Sequence, residues 1–129
     1  MSTKSQILKA FNDHFNDFVE DIHKVFPDNK DIETAKNAIV EFRKANPRMI
    51  LMVFNEHVVA KYRNEISEGN ISFFVDKDYS SDLKGQGTSK LILEKIDCLR
   101  DPVRKMTSSD QDKVIKYLQN LVKLSDLYI

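Results

Sequence analysis

Residues 81–90, SDLKGQGTSK, hold the residue types that phosphate chemistry uses: a lysine, two glycines, then Thr-Ser-Lys ahead of an apolar helical pattern. A Walker-type loop needs G-x-x-x-x-G-K-[ST] between a buried strand and a helix, so that consecutive N–H groups face the phosphates. Here the order is Gly85-Gln86-Gly87-Thr88-Ser89-Lys90, with the lysine displaced and no strand pattern in the preceding DKDYSSD. A dinucleotide-binding turn would need a third glycine where Lys90 stands. The segment reads as a loop whose Thr88 or Ser89 caps the next helix, and no nucleotide is expected there.

Glu20 and His23 form E-x-x-H, the spacing of di-iron bundles, but both fall on the outward face of their helix and no second copy exists. His14 and His57 have no triad neighbours in sequence, and Cys98 sits in an apolar pattern without a lysine or histidine beside it, as a small core or boundary residue would. Thr107, Ser108 and Ser109 could accept phosphate, yet Ser108 and Gln111 have capping-box spacing. No nucleophile–base pair and no metal set assembles, so neither an enzyme nor a cofactor is expected. What remains are two candidate partner-binding groups. One is the basic corner Arg43, Lys44 and Arg48; the other is the apolar ending Leu127, Tyr128 and Ile129. The ending is expected to continue the last helix and pack on helix three near Met52. The alternative is an exposed anchor for a partner.

These residues must be positioned by helices. Leu8, Phe11, Phe15, Phe18, Ile22 and Val25 recur at spacings of three and four, predicting helix one over about 3–26. Pro27 ends it. Ile32, Ala35, Ile39 and Phe42 predict helix two, capped by Asp28 or Asp31, so the pair should form an antiparallel hairpin. Asn46 and Pro47 should open helix three, which runs to about Glu68 before Gly69. Its start, MILMVF, points in every direction and must be surrounded. Asn70 to Asp76 is helix or strand, the helix preferred. Helix five, about 88–99, turns Leu91, Ile92, Ile96 and Leu99 inward, DPVRKM breaks it, and a last helix carries Val114, Leu118, Leu121 and Val122.

Length and composition agree with an all-α fold: a compact bundle of five to six helices in a single domain over 1–129. Three glycines and three prolines in 129 residues leave few turns, which favours long helices over many strands. Lys plus Arg and Asp plus Glu both number 20, so no overall charge draws nucleic acid or an anionic membrane. Residues 1–42 hold eight acids and five bases, residues 43–129 twelve and fifteen, an imbalance too small to define a partner. No apolar run approaches the roughly 18 residues of a membrane span, and the start lacks the apolar core of a signal peptide. With Cys98 alone, a protein of a reducing intracellular compartment is expected.

Four strings, FNDFVEDIHKVFPDNKDIETAKNAI, ANPRMILMVF, VVAKYRNEISEGNISFFVDKDYSSDL and LVKLSDLYI, carry a resemblance over about residues 11–128. The chain resembles a group of short helical proteins encoded by nucleocytoplasmic large DNA viruses, the giant viruses of algae and other protists. That resemblance implies a viral protein with a helical fold, in the host cytoplasm (the virus factory) or the virion. It implies no activity and no catalytic residues. The expected function is therefore a non-enzymatic interaction or structural protein, whose partners are viral or host proteins. No membrane and no small-molecule substrate is expected. The alternative is a regulatory module for viral transcription or replication that touches nucleic acid weakly through the Arg43–Arg48 corner or helix five.

Overall fold

A computed structural model of the protein describes residues 3–72 and 88–129. Helix α1 spans Lys4–Val25. Thr3 starts it with a reciprocal capping box, its side chain accepting the Gln6 N–H while Gln6 Oε1 accepts the Thr3 N–H. Phe11, Phe15, Phe18 and Ile22 are buried as the spacing predicts, and Val19 joins them. Val25 instead stays 42% exposed, because the last turn of α1 only edges the open start of the C-terminal helix.

Helix α2 spans Lys30–Ala45 and buries Ile32, Ala35 and Ile39. Its cap is Asn29, not Asp28 or Asp31: Asn29 Oδ1 accepts the Ile32 N–H at 3.1 Å. Asp31 sits in the first turn, where its charge favours the positive helix end. Asn46 both closes α2 and leads into the next helix, the Met49 N–H bonding its carbonyl at 3.0 Å. Its N–H reaches the Phe42 carbonyl, and its Oδ1 accepts the Arg48 N–H at 3.1 Å.

Helix α3 (Met49–Phe54) begins after Pro47 without a side-chain cap. A π-helical turn, Asn55–Val59, and helix α4, Ala60–Ser67, continue the path. Tyr62 leaves helical geometry at φ −126°, ψ 18°, kinking α4. The expected inward period nevertheless holds, since Val59, Tyr62 and Ile66 are buried. Gly69, at φ +74°, ends the path: its N–H bonds the Ile66 carbonyl and the Asn70 N–H bonds the Glu65 carbonyl, a Schellman closure. The helix-or-strand question over 70–76 lies, beyond residue 72, outside the described residues.

Helix α5 spans Thr88–Asp97, α6 Arg100–Arg104 and α7 Ser108–Tyr128. Ile92 is buried against Val53, whereas Leu91, about 100° around the helix, is 47% exposed rather than inward. DPVRKM does not simply break the helix. Pro102 occupies the third position of α6, where a helix makes no N–H bond anyway. The α7 cap is Thr107, whose side chain accepts the Asp110 N–H at 3.2 Å. The expected Ser108–Gln111 box is replaced by a Gln111 Nε2 bond to the Val103 carbonyl at 3.0 Å.

Every regular element among the described residues is helical, so the chain is all-α. Both α2 and α7 pack on α1, and α5 lies against α2 and α3. Aromatic rings hold the centre: Phe11 and Phe15 each meet Phe54 edge-on, at 5.6 and 6.4 Å between centroids. Such edge-to-face pairs add to the gain from area burial alone.

Candidate functional site

Three chain segments distant in sequence meet at one end of the molecule: the first turn of α1, the α2–α3 turn and the last turn of α7. Between them lies a shallow groove of about 510 Å³. Met49, Met52, Tyr128 and Ile129 supply its apolar surface, and Lys4, Arg48 and Asn46 its polar edge. Lys4 Nζ stands 5.7 Å from the centre of the Tyr128 ring, within cation–π range. The Arg48 guanidinium has no hydrogen-bond or ion-pair partner among the described residues. No acidic side chain among the described residues lines the groove.

A second hollow, about 750 Å³, adjoins it across Pro47, between α1 and α2. Arg43 and Lys44 border this one, together with Lys9. Asp13 engages both Arg43 (2.8 Å) and Lys9 (2.7 Å), and those hydrogen bonds hold its carboxyl below the usual aspartate range. Lys44 lies 3.9 Å from Glu41, an exposed pair that contributes little. Asn12 is buried in the wall; its Nδ2 donates to the Pro47 carbonyl at 2.9 Å, while its Oδ1 is buried without a partner.

The structure thus brings together five of the six candidate partner-binding residues: Arg48, Tyr128 and Ile129 in one groove, Arg43 and Lys44 beside it. Leu127 points elsewhere and is 65% exposed. The expected packing of the ending on Met52 is met only in outline. α7 does run through Tyr128, and Tyr128 and Ile129 share the groove with Met52. Tyr128 is half-buried, but Ile129 is 62% and Met52 37% exposed.

The α7 end is fixed from behind. Buried Ser125 donates its Oγ hydrogen to Asn55 Oδ1 at 3.2 Å, in the π turn. Arg63 grips Asp126 through two bonds, of 2.7 and 2.8 Å, and keeps that carboxyl in its charged form to lower pH.

The other chemical candidates lie apart from this surface. Glu20 is 3.5 Å from Lys36, and His23 Nε2 is 3.2 Å from the Pro27 carbonyl. Cys98 is half-buried, and burial pushes its thiol pKa up, away from the reactive thiolate. His14 stacks 4.8 Å from Tyr117 with Nε2 buried and unpartnered; burial lowers its pKa against the opposing charge of Asp17. Tyr117 donates its hydroxyl to Asp21, and burial with that bond pushes the phenol up to about 12. Thr107 serves as the α7 cap, with Ser108 and Ser109 exposed beside it. No trio of His, Cys, Asp or Glu among the described residues is placed to hold a metal ion. Likewise, no described helix is long and apolar enough to cross a membrane. Residues 81–87 of the SDLKGQGTSK stretch lie outside the described residues.

No protein-family model, no curated protein and no solved structure matches this chain. Sequence reasoning missed Lys4, Asn46, Met49 and Met52 as part of the surface. The MILMVF run was expected to be surrounded on every side; Met52 instead looks outward at 37% exposed, while the other five residues of the run are buried or half-buried.

Proposed function

We propose that the protein is a non-enzymatic interaction module that docks on other proteins through the end where α1, the α2–α3 turn and α7 converge. The observation that carries this is the groove itself: exposed Met52 and Ile129 beside Arg48, whose guanidinium has no partner among the described residues. Apolar side chains left in water next to an aromatic and an arginine are the composition of interface centres. The scaffold we infer is a compact bundle of five to six helices opening with an antiparallel α1–α2 hairpin. Lys36–Glu20 and Arg43–Asp13 support that direction, since the partner's number falls along α1 as it rises along α2. Placement in a large DNA virus, in the virus factory or the virion, is the setting that the sequence resemblance suggests.

A nucleic-acid role is the weaker reading, because Asp13 already engages Arg43 and Lys9 at the basic corner. Photo-crosslinking separates the two. A benzophenone amino acid at position 129 should give discrete protein adducts in infected-cell lysate, and the same probe at the distant Val25 should not. Absence of adducts from position 129, together with a steeply salt-dependent DNA gel shift, would support the nucleic-acid reading instead.

A further inference from the structure

We infer that the groove between Lys4, Met52 and Tyr128 receives an acidic peptide segment: apolar anchor residues flanked by Asp or Glu. This rests on the interaction reading above and names the chemistry of the partner. The groove is asymmetric in charge. Two cations, Lys4 and Arg48, border it, and among the described residues no acidic side chain does. Arg48 has no partner among the described residues, in contrast to Arg43, Arg63 and Lys36, each of which meets a carboxylate within 4 Å.

Lys4 stands over the Tyr128 ring in the last turn of α7, where a cation also suits the negative helix end. Arg48 has no such neighbour among the described residues, and a carboxylate arriving from outside can bind it in a two-pronged contact.

Between the cations the surface is apolar and adaptable. Met49 and Met52 are unbranched and can repack around anchors of differing shape, while Tyr128 is kept in place by Lys4 over its ring. About 510 Å³ suits a few side chains of a peptide, not a folded face laid flat. Basic peptides would face two like charges, and neutral ones would leave Arg48 without a counter-charge.

The test is selection of a random peptide library displayed on phage against the folded protein. It is run in parallel against Ile129→Glu and Arg48→Gln, both surface changes, with thermal melts confirming that each variant folds. The expected result is enrichment of peptides that pair Asp or Glu with Leu, Ile or Phe, and loss of that enrichment on Ile129→Glu. For one selected peptide, Arg48→Gln should weaken binding about tenfold, the scale of one charge-assisted contact. Added salt should weaken it further. Neutral or basic peptides enriched in an Ile129-dependent way would overturn the charge assignment while leaving the interaction surface standing. Failure of any peptide to depend on Ile129, or a dimer broken by Ile129→Glu, would overturn the acidic-peptide occupant; the first of these also removes the groove as an interaction surface.

Discussion

Phe15→Ala and Val25→Ala probe two positions of one sequence stripe that the structure treats oppositely. Phe15 is 1% exposed and has three aromatic neighbours, Phe11, Phe18 and Phe54, with centroids 5.9–6.4 Å away. Truncating a buried phenylalanine costs about 3–5 kcal/mol through lost transfer energy and the cavity left behind. Three ring contacts, each adding roughly 0.5–1.5 kcal/mol, place Phe15 at the upper end. Rings on α1 and α3 cannot close the gap without moving both helices, so little relaxation offsets the loss. Against a domain stability of about 5–15 kcal/mol, the variant should remain folded only marginally. Val25 is already 42% exposed, so its truncation should cost under about 1 kcal/mol. Urea titrations followed by far-UV circular dichroism measure both, with linear extrapolation to water. If Phe15→Ala is too weak to give a folded baseline, Phe15→Leu gives the same comparison at a smaller cavity. Equal midpoints for the Phe15 and Val25 variants would falsify the assignment of Phe15 to the aromatic core.

Three further outcomes are expected. His14 has its folded pKa below its ordinary 6.5 because burial disfavours the cation, so its contribution is fully present above about pH 6.5 and is lost as pH falls through that value toward the folded pKa. Urea midpoints should therefore fall more between pH 7 and 5, as an approximate window set by that shift, in the wild type than in His14→Leu; parallel profiles would contradict the buried neutral imidazole. Deleting residues 127–129 removes two exposed side chains and one half-buried ring, so stability should drop by only about 1–2 kcal/mol while peptide binding at the groove disappears, and a near-complete loss of folding would show the ending to be core after all. Ser125→Ala leaves the half-buried Asn55 without its donor, which should cost about 1 kcal/mol, and an unchanged melting temperature would mean that the bond to the π turn is not made.

Helical periodicity was legible wherever burial is one-sided. Phe11, Phe15, Phe18 and Ile22, like Ile32, Ala35 and Ile39, appear inward at the spacing the sequence shows. The misses lie at element ends, where neighbouring groups compete on nearly equal terms. Asn29 outcompetes Asp28 and Asp31 for one N–H, and Thr107 does the same against Ser108. Polar residues inside the core were also hidden. Asn12 and Ser125 each sit beside apolar residues on their stripe, and only the partner at long range, Pro47 for one and Asn55 for the other, explains the burial.

The surface itself could not be read along the chain because its parts are brought together by these long-range bonds. Arg48 belongs to a basic corner and Tyr128 to the tail of a core stripe; nothing local relates residues 80 positions apart. Their adjacency depends on how α7 is seated along the 49–67 path, and that path carries a π turn at Asn55–Val59. A π turn holds one more residue than an α turn and rotates everything after it relative to everything before. Met49 and Met52 lie before the turn and Arg63 after it, so the turn sets where Arg63 can hold Asp126 while Met52 remains beside Tyr128. Asn55 is the first residue of that turn and also the acceptor for Ser125. One part-buried hydrogen bond thus ties the irregularity of one helix to the register of another. Two residues on from Asp126, that register delivers Tyr128 to the groove under Lys4. The polar core pair and the exposed surface are consequently one arrangement: changes at Asn55 or Ser125 should alter the groove without touching any residue that lines it.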